Sequence, residues 1–257
     1  MAAETTIDPM HQFQISGLTG ALDGTPFVFT NSALWMLIVL GAITLFMWGG
    51  MKRELVPGRW QAAVEGFVEF VSGMALSSIG KEGRAYIPWI FTIFTFIIFA
   101  NYLGMFPLAV FGPHPFTVTS QFTVTGLMAV MSFSIVLIVG FWKHGLHFFS
   151  LFVPHGTPKV MLPLIVPIEF VSFMVRPFSL ALRLFVAMIA GHILLDVFGN
   201  FIVNGINSGS VMGYAISAIS FLFIMGVNAL ELLVCAIQAY VFALLASLYI
   251  NDAVHLH

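Results

Sequence analysis

The amino-acid sequence predicts an all-α membrane protein with five membrane-crossing helices and one interfacial helix. Of its 257 residues, 60% are hydrophobic and only 8% are charged, whereas an ordinary soluble domain carries about 25% charged residues. Three apolar runs of about 20 residues have the length of a spanning helix, and two later runs are about twice as long. Such a chain cannot clothe a water-facing surface, so residues 1–257 are expected to form one integral membrane domain.

The three shorter runs cover residues 31–50, 85–106 and 122–142. Residues 1–30 precede them as a polar segment, which we expect outside the membrane. The segment 57–80 is only moderately apolar, with Glu65 and Glu69 one turn apart and basic residues at both ends. This pattern favours a helix lying in the membrane interface, and a buried helix of the soluble type is the alternative.

The two longer runs cover residues 162–200 and 211–251. A single helix of about 40 residues is about 60 Å long, twice the hydrocarbon thickness. Each run is therefore either a hairpin of two short helices or one long, steeply inclined helix. The second run contains no proline and no polar cluster where a hairpin turn would fall, and the prolines of the first run lie near its beginning. Steep inclination is the better interpretation.

The basic residues predict the orientation of the chain. Seven of the nine lysines and arginines lie on one side if the N-terminus is outside: Lys52, Arg53, Arg59, Lys81, Arg84, Lys143 and Lys159. The segments 107–119 and 199–210, on the other side, carry none. Because cytoplasmic loops are enriched in lysine and arginine, we expect an outside N-terminus and a cytoplasmic C-terminus.

The first long run contains five ionisable residues that are costly in hydrocarbon and are functional candidates for that reason. Arg176 lies seven residues before Arg183, so the two share one helical face, and Glu169 is within about 40° of it. His192 follows Arg183 by nine residues and projects about 180° away. Asp196 lies one turn beyond His192 on that second face.

The second long run carries one polar stripe, formed by Asn228, Glu231 and Gln238 at spacings of three and seven residues. If the two long helices are antiparallel, Glu231 lies at a depth similar to that of His192, toward the outside. A carboxylate beside an imidazole suits proton transfer, because histidine titrates near neutral pH.

Other roles remain open for these side chains. His192 can simply bond a backbone carbonyl, Glu231 can be its structural partner, and Asp196 can be solvated. His192, Asp196 and Glu231 are also a conceivable metal site, although they lack a tight ligand motif.

Arg183 has no carboxylate within one turn and cannot be deprotonated in a protein. It lies too deep to reach the interface easily, so the economical partner is a carboxylate of another subunit within the membrane.

Two stretches give the chain a family resemblance: "SLALRLFVAMIAGH" from Ser179 and "ELLVCAIQAYVFALLASLYI" from Glu231. Together with "NYLGMFP" at residues 101–107, they resemble the a subunit of the F-type proton-translocating ATP synthase. The resemblance implies a stator protein whose two inclined helices face a rotating ring of hairpin c subunits, each with a mid-membrane carboxylate. It also implies b-type peripheral stalk subunits, an indirect link to the soluble ATPase sector, and a lipid environment.

The resemblance also implies roles for individual residues. Arg183 matches the essential arginine, which separates two offset half-channels. His192 and Glu231 match the pair of the outside half-channel, and Gln238 matches a glutamine that faces the arginine. Glu169 and Arg176 occupy positions associated with the cytoplasmic side. One departure is Ala187, where the family usually has asparagine, and it puts a hydrogen-bonding role there in doubt.

Other classes of protein fit the sequence less well. A secondary transporter or ion channel with an intramembrane charged site is the main alternative, but no inverted repeat or matched pair of broken helices is present. An intramembrane enzyme lacks an HExxH or GxSxG motif, and a purely structural subunit does not explain the buried charges. We expect no catalytic activity, cofactor or nucleic-acid partner. The expected location is a bacterial inner membrane, with the mitochondrial inner membrane as the alternative.

Overall fold

A computed structural model of the chain describes residues 29–51, 56–105, 117–153 and 161–255. Most of residues 1–30, the basic residues Lys52, Arg53 and Lys159, and residues 106–116 lie outside the described residues. Six α-helices make up most of the described chain: α1 (Asn31–Gly50), α2 (Arg59–Ile79), α3 (Ile87–Met105), α4 (Phe122–His144), α5 (Leu162–Asn207) and α6 (Val211–Val254). Three 3₁₀ segments accompany them: Lys81–Ala85, Val118–Ser120 and Gly145–Phe152. The described residues contain no β-strand, and the predicted all-α fold is confirmed.

All six helices are long and apolar enough to cross a membrane by length and composition. This set includes α2, so its assignment to the interface stays a prediction, as does the count of five crossings. Glu65 and Glu69 lie on the exposed side of α2. The indole of Trp60 anchors the start of α2 to α1, because its Nε1–H donates to the carbonyl of Phe46 at 3.0 Å.

Each of the two long apolar runs forms one continuous helix, so the hairpin alternative is wrong. The 46 residues of α5 and the 44 residues of α6 correspond to lengths of about 69 and 66 Å. Pro167 and Pro177 lie inside α5 without ending it. A hydrocarbon layer of about 30 Å accommodates such helices only if they are inclined or protrude from it.

The turn between the long helices is shorter than its Asn, Gly and Ser content suggests. Helix α5 extends to Asn207 rather than ending near residue 200, and Gly209 has a positive φ of 60° in the turn that follows. The extension is stabilised by packing, because Gly205 is buried against Gly213 and Ser217 of α6. The Ser217 hydroxyl donates across this crossing to the carbonyl of Ile202 at 3.0 Å.

The main hydrophobic core lies between α2, α3, α4, the first half of α5 and the second half of α6. Its fully buried members include Val71, Ile97, Leu184, Met188 and Phe242. Helices α5 and α6 pack antiparallel along their length, and α6 also packs on α3. The remaining sides of the two long helices expose apolar side chains, as expected for a surface covered by lipid or by another membrane subunit.

Candidate functional site

The antiparallel packing of α5 and α6 brings His192 and Glu231 into direct contact. His192 Nδ1 lies 2.9 Å from Glu231 Oε1, and the Glu231 side chain is only 2% exposed. The same ring nitrogen lies 3.0 Å from the carbonyl oxygen of Met188. Neither Glu231 oxygen has a hydrogen bond of good geometry to another described residue. The pair is therefore close and buried, and the carboxylate keeps most of its accepting capacity unused.

The second ring nitrogen of His192 contacts a residue that the sequence patterns did not single out. Thr117 Oγ1 lies 2.7 Å from His192 Nε2. Thr117 begins a buried segment that includes the 3₁₀ turn Val118–Ser120 and lies among α3, α4 and α5. The sequence predicts that residues 107–119 lie in a loop on the side of the N-terminus, and only the polar run "TVTS" at residues 117–120 indicates that polar side chains enter here.

Asn101 continues this polar region toward α6. The side chain is fully buried, accepts from the Thr119 hydroxyl at 2.7 Å and donates to the carbonyl of Cys235 at 3.2 Å. Cys235 lies one turn after Glu231 on α6. In the sequence, Asn101 is part of the family motif at residues 101–107, and in the structure its hydrogen bonds join α3 to α6. Phe106 and Pro107 lie outside the described residues.

Arg183 lies on a different side of α5 from His192, as the helical spacing predicts. Its side chain is exposed, and no described residue forms a hydrogen bond or ion pair with it. Two contacts define the register of the long helices: His192 with Glu231 and Arg176 with Asp252. Interpolation between them places Arg183 level with the part of α6 around Phe242.

Gln238 lies about one helical turn from Phe242, the part of α6 that is level with Arg183. The side chain is half-buried, and among the described residues it forms no hydrogen bond with Arg183. Its predicted position facing the arginine therefore stays a prediction.

Arg176 is engaged within the chain itself. Its Nη1 lies 2.8 Å from Asp252 Oδ2, and its guanidinium lies over the rings of Phe173 at 5.5 Å and Tyr249 at 5.1 Å. These contacts tie α5 to the last turn of α6. The sequence does not predict this ion pair, because Asp252 lies on another helix and has no periodic relationship to Arg176.

The remaining predicted residues lie farther from direct partners. Asp196 is half-buried, one turn beyond His192, and close enough to interact with it electrostatically. Glu169 is half-buried near the start of α5, whereas Asn228 is exposed on α6. Within the described part of the chain, no three His, Cys, Asp or Glu residues are placed to hold a metal ion. The described residues therefore give no support to a metal site at His192, Asp196 and Glu231.

A separate set of contacts closes the opposite end of the helices. Lys143, at the end of α4, forms an ion pair with Glu82 in the turn before α3. The hydrogen bond from Lys143 lowers the pKa of the Glu82 carboxyl. His144 Nε2 lies 3.1 Å from the carbonyl oxygen of Val254, so the ends of α4 and α6 meet there.

Fold and site together define a helical membrane protein with a buried histidine–carboxylate pair on one side of a long helix and an exposed arginine on another. A sequence profile of the family described as ATP synthase A chain matches residues 33–251. Subunit a of the ATP synthase of Sphingopyxis alaskensis is 63% identical over the full length of both chains. Subunit a of Rhizorhabdus wittichii is 61% identical over the full length of both. Subunit a of Rhodospirillum rubrum is 41% identical over 97% of this chain and 99% of its own.

The chain belongs to the family of ATP synthase subunit a, the proton-translocating subunit of the membrane sector. The family resemblance of the sequence motifs is thereby confirmed. Membership implies a multi-pass membrane protein that assembles with other ATP synthase subunits.

Proposed function

We propose that the chain is the non-catalytic, proton-conducting stator subunit of a rotary ATP synthase. Two offset half-channels pass protons to and from carboxylates of a rotating ring, and Arg183 separates them. One observation carries the proposal: exposed Arg183 lies on one side of α5, and the buried His192–Glu231 pair lies nine residues on, on another.

The outside half-channel is formed around His192 and Glu231. Burial varies along this region, from exposed Asn228 through half-buried Asp196 to fully buried Glu231. Such a gradient is expected where water reaches part of the way into a membrane protein. The glutamate and the histidine are titratable groups 2.9 Å apart, which is a distance suited to proton transfer.

The cytoplasmic half-channel approaches Arg183 from the start of α5. Glu169 is the titratable carboxylate on this part of the helix, and it is half-buried. Arg176 lies between Glu169 and Arg183, but its pairing with Asp252 favours a positioning role over a direct part in proton passage. Gln238 lies near the level of Arg183 and lines the passage from the side of α6.

Arg183 acts electrostatically. A guanidinium stays charged in proteins and cannot relay a proton. At about 5 Å and an effective dielectric of about 20, it favours the ionised form of a facing carboxylate by about 3 kcal/mol. A passing ring carboxylate is thus held ionised at the arginine, and the cation blocks direct proton flow between the half-channels.

The partners follow from this mechanism. The exposed side of α5 at Arg183 faces a ring of hairpin c subunits, and b-type stalk subunits hold the stator to the soluble ATPase sector. The location is the bacterial inner membrane, with the N-terminus outside. Lys143, Glu82, His144 and Val254 meet at one end of the helices, which supports a common cytoplasmic side for these loops and the end of α6.

Two measurements test the proposal. Purification in mild detergent should recover the chain with a small-subunit ring and a soluble ATPase, whereas a free-standing transporter or channel would purify alone. In inverted membrane vesicles, Glu231→Gln should slow ATP-driven proton uptake without dissociating the complex, because it keeps the shape and removes the titrating group. Glu69→Gln, at an exposed carboxylate of α2, is the matched control. Unchanged uptake in Glu231→Gln would make Glu231 structural and overturn the proposed function.

A further inference from the structure

We propose that Thr117 is a positioning residue for His192, and that its hydroxyl holds the imidazole with Nδ1 beside the Glu231 carboxylate. This inference rests on the proposed function, since it concerns how the His192–Glu231 pair is kept ready for proton transfer. Thr117 is not one of the residues that the sequence patterns or the family motifs indicated.

The contacts of His192 favour a proton on one of its two ring nitrogens. Nδ1 faces the carbonyl oxygen of Met188 at 3.0 Å and Glu231 Oε1 at 2.9 Å. A carbonyl oxygen only accepts hydrogen bonds, so its contact with Nδ1 favours a proton on Nδ1 in the neutral ring. Nε2 is then an acceptor, and the hydroxyl of Thr117 at 2.7 Å is the group that donates to it.

A hydroxyl is suited to both protonation states of the ring. When His192 takes up a second proton, Nε2 becomes a donor, and the Thr117 oxygen can accept after a rotation of its O–H bond. The carbonyl of Gly104 is a further acceptor near the imidazole. Thr117 therefore keeps the ring in place while its charge changes, which a purely donating or purely accepting side chain would not do.

The position of Thr117 is itself rigidly determined. The side chain is only 2% exposed. A Cβ at Gly104 would lie 2.7 Å from both Cβ and Cγ2 of Thr117, so the absence of a side chain at Gly104 makes room for it. The backbone N–H of Ser120 and its hydroxyl both donate to the Thr117 carbonyl, at 3.0 and 2.6 Å. Non-helical backbone at membrane depth must be satisfied in this way.

Substitutions at Thr117 separate the hydroxyl from the packing. Thr117→Val keeps the branched shape and removes the hydroxyl, whereas Thr117→Ser keeps the hydroxyl and removes the methyl group. The valine variant should pump protons about five- to tenfold more slowly, the effect of one lost hydrogen bond at a working site. The serine variant should retain most of the rate. A role in packing alone predicts the opposite order, with serine the more impaired.

The experiment measures ATP-driven proton uptake by inverted vesicles that contain the whole complex, with assembly scored by co-purification of the ring. Thr117→Ala is a second variant without the hydroxyl, for use if valine impairs assembly. Thr125→Val is the matched control, because Thr125 is equally buried and its hydroxyl bonds only carbonyls at the start of α4. It should pump at the wild-type rate.

Glu231→Gln is measured in parallel so that two failures can be told apart. Slow uptake in Glu231→Gln and Thr117→Val, with rescue by Thr117→Ser, supports the inference. Slow uptake in Glu231→Gln with a normal Thr117→Val rate overturns the role of Thr117 and leaves the proposed function standing. Serine as impaired as valine also overturns that role. Normal uptake in Glu231→Gln overturns the proposed function and this inference with it.

Discussion

The carboxylate of Glu231 lies directly against the backbone of Gly191. A Cβ atom built on Gly191 would lie 2.6 Å from Glu231 Oε1 and 2.9 Å from its Cδ, which is closer than van der Waals contact permits. Gly191 immediately precedes His192, so the absence of a side chain at one position of α5 lets the glutamate reach the imidazole at the next.

Gly191→Ala should therefore displace the Glu231 carboxylate from His192 while α5 stays helical. A misplacement of about 1 Å at a reacting group reduces rates by up to about a hundredfold, so we expect ATP-driven proton uptake to fall at least tenfold. Gly199→Ala is the matched control, because a Cβ at Gly199 meets nothing within 4 Å. Equal rates in the two alanine variants would contradict the proposed dependence on the close approach.

Helical periodicity and composition predict much of this fold. Runs of about 20 apolar residues locate α1, α3 and α4 because a bilayer demands that length. A spacing of nine residues puts Arg183 and His192 on different sides of α5, since nine residues make two and a half turns. The contact between His192 and Glu231 then requires only that the two long helices run antiparallel.

The contacts that the sequence patterns missed depend on non-periodic structure. Thr117 and His192 are separated by 75 residues, and they meet only because a short 3₁₀ turn enters the helical core. The pairing of Arg176 with Asp252 depends on the exact register of α5 and α6. Gly205 lies in the segment 199–210 that the sequence places between the two long runs, yet close packing against Gly213 keeps it in the helix.

The ion pair of Arg176 and Asp252 should contribute to stability more than to proton transport. Both side chains are partly exposed, at 25% and 40%, so we expect Asp252→Asn to destabilise the assembled complex by about 0.5–1 kcal/mol. Arg176→Lys should cost a similar amount, because lysine keeps the charge but loses the planar stacking over Phe173 and Tyr249. Thermal denaturation of the purified complex measures both. A loss of proton uptake as complete as that in Arg183 variants would show instead that Arg176 takes part in transport.

The Glu82–Lys143 pair predicts a pH-dependent contribution to stability. The pKa of Glu82 is lowered in the folded state by the hydrogen bond from Lys143. The pair therefore stabilises the fold at neutral pH, and the contribution is lost as the pH falls through the lowered pKa. Glu82→Gln should lower the denaturation midpoint slightly at neutral pH, and the difference from wild type should vanish at acid pH. A difference that persists unchanged at acid pH would exclude the ion pair as its cause.

Cysteine labelling tests the proposed orientation. Single cysteines at Lys81 and His255, both exposed, should react with a membrane-impermeant reagent only from the cytoplasmic side. A cysteine at exposed Ser208 should react only from outside. Cys235 is fully buried, so the native cysteine should not react. Labelling of His255 from outside would refute an outside N-terminus with five crossings.

Arg183 provides the sharpest prediction, because no described residue of this chain pairs with its charge. In the proposed mechanism, Arg183→Ala removes the attraction of about 3 kcal/mol that holds a facing ring carboxylate ionised. ATP synthesis and ATP-driven pumping should both fail while the complex still assembles. Arg183→Lys keeps the charge but loses the reach and planar fork of the guanidinium, so it should also be severely impaired.

The alanine variant should in addition conduct protons passively, because it lacks the cation that we propose as the barrier between two half-channels. Inverted vesicles measure both effects, first with ATP and then with an imposed potential and no ATP. Co-purification of the ring confirms assembly in each preparation. Near-normal ATP-driven uptake in Arg183→Ala would refute the proposed role of Arg183, because no other described arginine of α5 can replace it. Arg176, the other arginine of the helix, is already bound to Asp252.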